Sequence, residues 1–206
     1  MSFYDELSKI DVDKFVSLVD SRTDADVERA IYKTTPRTVE DFAALISENA
    51  RKHYLDVMVQ EATQLTRKRF GRCVNMYLPL YLTNLCNNKC VYCGFSVMNK
   101  FKRVVLTMEE IEEELQAMNK MGYTNILLVS GENSHRAGMP YFREVLPLTK
   151  KYADYLQMEV QPLETEEYAE LKTLGLDAVS VYQETYHPGC YKQVHLGGKK
   201  ADMRFR

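Results

Sequence analysis

The chain has 206 residues, of which 45% are hydrophobic and 27% are charged, a balance typical of a globular protein with a sizeable apolar core. Its formal net charge of −2 gives no reason to expect electrostatic binding to nucleic acid or to an anionic membrane. No apolar run approaches the roughly 18 residues of a membrane-spanning helix, and the N-terminus lacks a signal-peptide pattern. We therefore expect a cytoplasmic protein, in which reducing conditions keep thiols free.

The segment 1–72 is polar and carries helical patterns, so we interpret it as a helical N-terminal extension. Within it, Thr38 followed by Asp41 resembles a capping box at the start of a helix. Further along, apolar residues recur at the spacing of a single helical face: Leu55, Val59, Ala62 and Leu65.

The segment 73–206 alternates between apolar runs that predict strands and amphipathic segments that predict helices. The predicted strands are VNMYLPLYLT, NILLVS, LQMEVQPL and LDAVSVYQ. Pro79 inside the first run favours an edge strand. After that strand, Thr107 and Glu110 match a capping box, and Gly122 marks the end of the helix that they begin. This regular alternation predicts parallel βα units, in either an open doubly wound sheet or part of a barrel.

Three of the five cysteines, Cys86, Cys90 and Cys93, lie together in a predicted loop directly after the first strand. Loops that leave the carboxyl ends of parallel strands form active sites in such folds. Three thiolates can bind three irons of a four-iron, four-sulfur (4Fe-4S) cluster and leave the fourth iron open to a substrate or cofactor. The alternative is a structural zinc with Cys73 as the fourth ligand. Zinc ligands usually come in two close pairs, and Cys73 has no such neighbour, so the spacing favours the cluster.

The motif CNNKCVYCGF resembles the signature of the radical S-adenosylmethionine (radical SAM) enzymes, C-x3-C-x2-C with an aromatic residue, here Tyr92, before the last cysteine. The runs YLPLYLTNLC, LLVSGE, MEVQPL and VYQETYH are in addition similar to the 2-iminoacetate synthases, the tyrosine lyases of thiazole biosynthesis. The tyrosine lyases of hydrogenase maturation share the QETYH run and are the first alternative. A non-catalytic cluster-binding module is the second.

The resemblance implies a fold and two cofactors. The fold is a partial parallel (β/α) barrel of the TIM-barrel-like radical SAM type, with the segment 73–206 as its first half. The cofactors are a 4Fe-4S cluster on the three cysteines and S-adenosyl-L-methionine (SAM) on the open iron. One electron from the reduced cluster then releases a 5′-deoxyadenosyl radical from SAM.

In the family, this radical chemistry cleaves the Cα–Cβ bond of L-tyrosine to 2-iminoacetate (dehydroglycine) and p-cresol. The resemblance implies thiazole synthase as protein partner and a flavodoxin- or ferredoxin-type electron donor. It identifies no catalytic acid or base in this sequence.

The resemblance also assigns SAM contacts in the first half of the barrel. Tyr92 is placed to contact the adenine. The run from Ser130 through Gly131 to Glu132 stands where the family usually has Gly-Gly-Glu, whose backbone carbonyls bind the methionine ammonium. Ser130 departs from that glycine pattern, so the position is better supported than the side chain.

The last assignments lie near the end of the chain. Glu184, at the end of the fourth predicted strand, matches a carboxylate that binds the ribose hydroxyls, with Gln183 beside it, and Arg206 matches an arginine that pairs with the methionine carboxylate. Four strands do not close a barrel. We therefore expect the N-terminal part of a longer enzyme, with an exposed edge after residue 182, tyrosine-binding residues on later strands and little or no lyase activity by itself.

Overall fold

The computed structural model describes residues 3–205, and the chain divides into two compact units, Met1–Val74 and Asn75–Arg206. The first unit is helical, with a single π-helical segment, Ala50–Tyr54, directly before its last helix in the described residues. Its α-helices are α1 (Phe3–Leu7), α2 (Val12–Asp20), α3 (Asp24–Ile31), α4 (Val39–Leu45) and α5 (Leu55–Phe70). No helix in residues 3–205 is both long and apolar enough to cross a membrane.

A small apolar cluster holds the first unit together, and α5 contributes no fully buried residue to it. The predicted apolar face of α5 is instead exposed to solvent, with Leu55, Val59 and Leu65 each about half accessible. The cluster consists of Val27, Ala30, Ile31, Ala44 and Ala50.

The second unit contains a parallel sheet with the strand order β1-β2-β3-β4. Its strands are β1 (Leu78–Thr83), β2 (Asn125–Ser130), β3 (Tyr155–Glu159) and β4 (Ala178–Val179). Its helices are α6 (Met108–Lys120), α7 (Met139–Lys150), α8 (Thr165–Thr173) and α9 (Pro188–Val194), followed by a short 3-10 turn, Lys199–Ala201. Sequential strand order is that of a (β/α) barrel, whereas a doubly wound sheet reverses direction at a switch point. The structure therefore confirms the predicted partial barrel.

The helix boundaries follow the local signals in the sequence. Thr38 and Asp41 form the predicted capping box, and Thr107 and Glu110 form the one that begins α6. In the second box, Thr107 N donates to Glu110 Oε2 at 2.8 Å and Glu110 N donates to Thr107 Oγ1 at 3.2 Å. Gly122, with φ of 87°, provides the left-handed turn that follows α6.

The two edges of the sheet differ from each other. Pro79 lies on the edge strand β1 opposite Leu127, as its missing N–H requires. The fourth strand is much shorter than predicted, because only Ala178 and Val179 pair with β3. A strand at a sheet edge has a partner on one side only, so its ladder ends where the backbone turns away. The pairing of β4 therefore ends at Val179, before residue 182, after which the exposed edge was expected.

The core of the second unit lies between the sheet and its helices. Its fully buried side chains come from alternate strand positions and from one face of each covering helix: Leu82, Leu128, Leu156, Met158, Ile111, Leu115, Phe142, Leu146 and Leu171. This packing fixes the carboxyl ends of β1, β2 and β3 relative to one another, and the loops that leave those ends form the site described next.

Candidate functional site

A cavity of about 430 Å³ lies at the carboxyl ends of the strands. Its walls contain most of the residues selected from the sequence: Cys86, Cys90, Cys93, Tyr92, Ser130, Gly131, Glu132 and Glu184. They also contain residues for which sequence reasoning assigned no role, among them Asn88, Glu159 and Lys200. Gln183 is not among the lining residues, and Arg206 lies outside the described part of the chain.

The three cysteines of the loop have free thiols that face this one cavity. Cys86 and Cys90 are buried, and Cys93 is partly exposed. Burial raises the pKa of the Cys90 thiol, while the positive charge of Lys200 acts in the opposite direction. Cys73 lies in the first unit and is exposed.

The three thiols of the cavity provide the donor set that a 4Fe-4S cluster with one open iron uses. Within residues 3–205, no three side chains of His, Cys, Asp or Glu converge as they would around one metal ion. Zinc draws its sulfur ligands to about 2.3 Å from a common centre. A 4Fe-4S cluster binds each thiolate through a different iron, so three thiols that line one cavity can each bind one iron and leave the fourth open. The donor set therefore fits the cluster.

Arg103 holds the loop that contains the cysteines from one side. Its guanidinium donates four hydrogen bonds of 2.6 to 3.0 Å to backbone carbonyls before and after the cysteines: those of Asn84, Phe95, Ser96 and Asn99. The same group stacks on the ring of Phe101 at 4.0 Å. One side chain thus provides hydrogen-bond donors for backbone carbonyls that have no partner in secondary structure. Sequence reasoning missed it, because nothing local distinguishes this arginine.

The segment after α9 holds the loop from the other side. Lys89 N donates to Gly197 O at 2.9 Å, and Leu196 N donates to Lys89 O at 2.7 Å, so the two stretches pair as a short antiparallel ladder. Gly198 has φ of 83°, and a side-chain carbon there would overlap the amide oxygen of Asn88. Only glycine meets both conditions at this position.

The segment after α9 also contacts Tyr92. Its hydroxyl shares a 2.6 Å hydrogen bond with Nε2 of the buried His195, and the two rings meet edge to face. Burial raises the pKa of Tyr92 above its usual range, so the phenol stays protonated. About half of the residue remains accessible, and it lines the cavity.

The Ser-Gly-Glu run at the end of β2 lies against the cysteine loop. A side-chain carbon at Gly131 would overlap the carbonyl oxygen of Leu85 and press on Cys86, so this close approach requires glycine. Ser130 Oγ is buried and has no hydrogen-bond partner among the described residues. Glu132 Oε2 accepts a 2.8 Å hydrogen bond from the amide of Asn88 inside the loop.

The sequence predicted Glu184 at the end of the fourth strand, but the residue lies in the loop after β4. Its φ of 64° is left-handed, a conformation that cannot continue a strand and that non-glycine residues adopt rarely. Its Oε1 accepts a 2.9 Å hydrogen bond from the ammonium of Lys200. Burial also raises the pKa of Glu159, which lines the same cavity. No local motif in the sequence predicted that Lys200 would pair with Glu184.

Comparison with known proteins gives consistent similarities. A profile of the Radical SAM superfamily matches residues 80–206. The 2-iminoacetate synthases of Escherichia coli (strain K12) and Salmonella typhimurium are 48% and 47% identical to the chain over 205 residues, with 100% of this chain and 54% of each relative covered. The X-ray structure of the FeFe-hydrogenase maturase HydG from Carboxydothermus hydrogenoformans superposes with a TM-score of 0.79 at 27% identity, over 98% of this chain and 46% of that one. The chain spans about half the length of the curated relatives it matches.

Proposed function

The chain belongs to the radical SAM superfamily, and from this premise we propose that it is the cluster- and SAM-binding part of a 2-iminoacetate synthase, a tyrosine lyase. One observation carries the proposal. The cysteine loop, the Ser-Gly-Glu run and Glu184 come from three separate loops and line one cavity at the carboxyl ends of the strands. The level of identity to the two synthases supports this choice of reaction over others in the superfamily.

The thiolates of Cys86, Cys90 and Cys93 would hold a 4Fe-4S cluster. When bound, the cluster and SAM would supply the one-electron chemistry. The protein orients the ligands and limits access of water, and the burial of Cys86 and Cys90 serves both tasks. Gly131 allows the backbone after β2 to approach the cysteine loop closely.

The remaining residues of the cavity would bind SAM. Tyr92 presents its ring for the adenine, in an orientation held by its hydrogen bond to His195. The backbone carbonyls of the Ser130–Glu132 run would accept from the methionine ammonium, and the Glu184 carboxylate would accept from the ribose hydroxyls. Gln183 and Arg206 remain predictions, the first beside Glu184 and the second outside the described residues.

The proposed reaction is cleavage of the Cα–Cβ bond of L-tyrosine to 2-iminoacetate and p-cresol, for thiamine thiazole biosynthesis. Thiazole synthase is the proposed recipient of 2-iminoacetate, and a flavodoxin- or ferredoxin-type protein is the proposed electron donor. The structural likeness to HydG keeps a maturase-type tyrosine lyase as the second candidate, at the lower identity of 27%.

Anaerobic reconstitution with iron and sulfide tests the cluster. We expect about four irons per chain and an electron paramagnetic resonance (EPR) signal after reduction that changes when SAM is added. Cys86→Ala, Cys90→Ala and Cys93→Ala should each lose this signal, whereas Cys73→Ala should keep it. If Cys73→Ala lost the metal as completely as the other variants, the result would favour a single metal ion bound by four thiolates over the cluster. A signal indifferent to SAM would remove the radical SAM function of this site.

Product analysis tests the reaction. With tyrosine, SAM and a reductant, we expect p-cresol together with glyoxylate, the hydrolysis product of 2-iminoacetate, from a protein that spans the full length of the two synthases, and little or no product from these 206 residues alone. Carbon monoxide and cyanide as the main further products would favour the maturase-type lyase. A full-length protein that assembles the cluster and binds SAM, but cleaves neither SAM nor tyrosine, would be a non-catalytic binding module.

A further inference from the structure

The cavity has an unbalanced distribution of charge. Its walls carry the carboxylates of Glu132, Glu159 and Glu184 and the thiols of Cys86, Cys90 and Cys93. The thiols become thiolates when they bind a cluster. Among the described residues that line the cavity, Lys200 is the one cationic side chain. A buried group of like charges is costly unless an opposite charge is fixed nearby.

Lys200 is fixed more firmly than an ordinary surface lysine. Its backbone N–H donates to Asn88 Oδ1 at 3.0 Å, and its carbonyl accepts from the hydroxyl of the buried Tyr191 at 2.5 Å. Its ammonium donates to Glu184 at 2.9 Å and lies 5.9 Å from the ring centre of Tyr92. The side chain is only 11% exposed, so water screens its charge weakly. The ammonium is therefore held at a defined place in the cavity wall.

We propose that Lys200 raises the reduction potential of the cluster bound by Cys86, Cys90 and Cys93. The inference rests on the proposed function, because it needs a cluster on these cysteines. Reduction adds one electron to the cluster and moves no proton to or from Lys200, so the reduced cluster carries one more negative charge. A fixed positive charge stabilises that product more than the oxidised form. The electron comes from a flavodoxin- or ferredoxin-type donor, or from dithionite in the assay.

The neighbouring lysine provides a matched control. Lys199 is exposed, lies outside the lining of this cavity and places its ammonium 5.4 Å from the ring centre of Phe205. Lys199→Met and Lys200→Met remove the same charge from adjacent positions of the chain. Lys200→Arg keeps the charge and replaces the ammonium by a guanidinium.

Redox titration of the reconstituted chain, followed by EPR, measures the potential in each variant. We expect Lys200→Met to shift it to more negative values, with the equilibrium constant for reduction lowered about tenfold, or about 59 mV for a one-electron couple. Lys199→Met should shift it much less, and Lys200→Arg should restore most of the potential. Equal potentials in Lys200→Met and Lys199→Met, with the cluster assembled in both, would overturn the inference.

Glu184→Gln separates electrostatics from damage to the site and replaces Lys200→Met if that variant does not fold. It removes a negative charge from the same ion pair, so we expect the potential to move to less negative values. General disruption of the cavity would move both variants in the same direction, and that result would also overturn the inference. Absence of the cluster signal in the unmodified chain is a different outcome, because it would refute the proposed function itself.

Discussion

In the sheet, buried residues such as Leu82, Leu128 and Met158 pack among the apolar side chains of the covering helices. The cysteine loop directly follows β1, and its buried residue Asn88 is instead held by hydrogen bonds. The sheet is stabilised by contacts without directional preference, which depend on apolar area and packing. The loop is stabilised by contacts that work only at defined distances and angles. Both regions contain buried residues, but those residues are held by different kinds of contact.

This difference matches what each region has to do. The sheet needs only to keep the ends of its strands together, and well-packed apolar residues of suitable volume achieve that. The loop has to present three thiols around one cavity, which requires a defined backbone path. The guanidinium of Arg103 on one side and the residue 194–200 segment on the other supply that path. Substitutions in the two regions should therefore separate loss of stability from loss of metal binding.

The largest effect on stability is expected in the sheet. Leu128→Ala removes a fully buried side chain from β2 and should lower the free energy of unfolding by about 2–5 kcal/mol. Leu65→Ala, at a residue 48% exposed, should change it by less than about 0.5 kcal/mol. Denaturant unfolding followed by circular dichroism measures both. If folded Leu128→Ala failed to bind iron, the two regions would be less independent than the comparison suggests.

The contact between the two regions is most sensitive at Gly131. Gly131→Ala places a methyl group against the backbone of Leu85 and should displace the cysteine loop, with a loss of about 1–3 kcal/mol and of most of the iron bound on reconstitution. Gly94→Ala is the control, since no atom outside its immediate chain neighbours lies within 4 Å of the added carbon. Iron content at equal folded fraction is the measurement. Full iron binding by Gly131→Ala would show that the close approach is dispensable.

A loss of stability similar to that at Gly131, with a selective effect on the loop, is expected at Arg103. Arg103→Lys retains the charge, but a single ammonium cannot donate in the planar fork that reaches four carbonyls. We expect a loss of about 1–3 kcal/mol and faster alkylation of Cys86 and Cys90 in the metal-free chain. Arg143→Lys, which alters an exposed pair with Glu170, should have little effect on either quantity. Unchanged alkylation rates would place the control of the loop elsewhere.

The smallest expected effect is a pH dependence of the unfolding free energy, caused by the ion pair of Asp177 and Lys150 next to β4. Hydrogen bonds from Lys150 and from Leu156 N hold the pKa of Asp177 below its usual value. This contribution to stability is complete above the unfolded-state pKa of about 3.9 and is lost as the pH falls through the lower folded-state pKa. With Asp177→Asn, the unfolding free energy should depend less on pH below pH ~4. Parallel pH profiles for the two proteins would contradict this.

Features that depend on neighbours along the chain were predictable from the sequence. Both predicted capping boxes form, with Thr38 and Thr107 as the caps, and β2 coincides with the run NILLVS. The cysteine spacing predicted a metal site in the loop after β1, and the family resemblance added the Ser-Gly-Glu run; both line the one cavity. These signals are local, because caps, periodic apolar faces and closely spaced ligands act over a few residues.

Other features were decided only by the tertiary structure. The fourth strand is shorter than its apolar run, because pairing depends on a neighbour in space and only Ala178 and Val179 meet partners on β3. Arg103, His195 and Lys200 owe their roles to contacts with distant residues, such as the one between Lys200 and Asn88 across 112 positions. Hydrogen bonds of this kind form only after the apolar core has brought the strand ends together. The sequence therefore determined which residues are proposed to bind the cluster and SAM, and the fold decided which residues hold them in place.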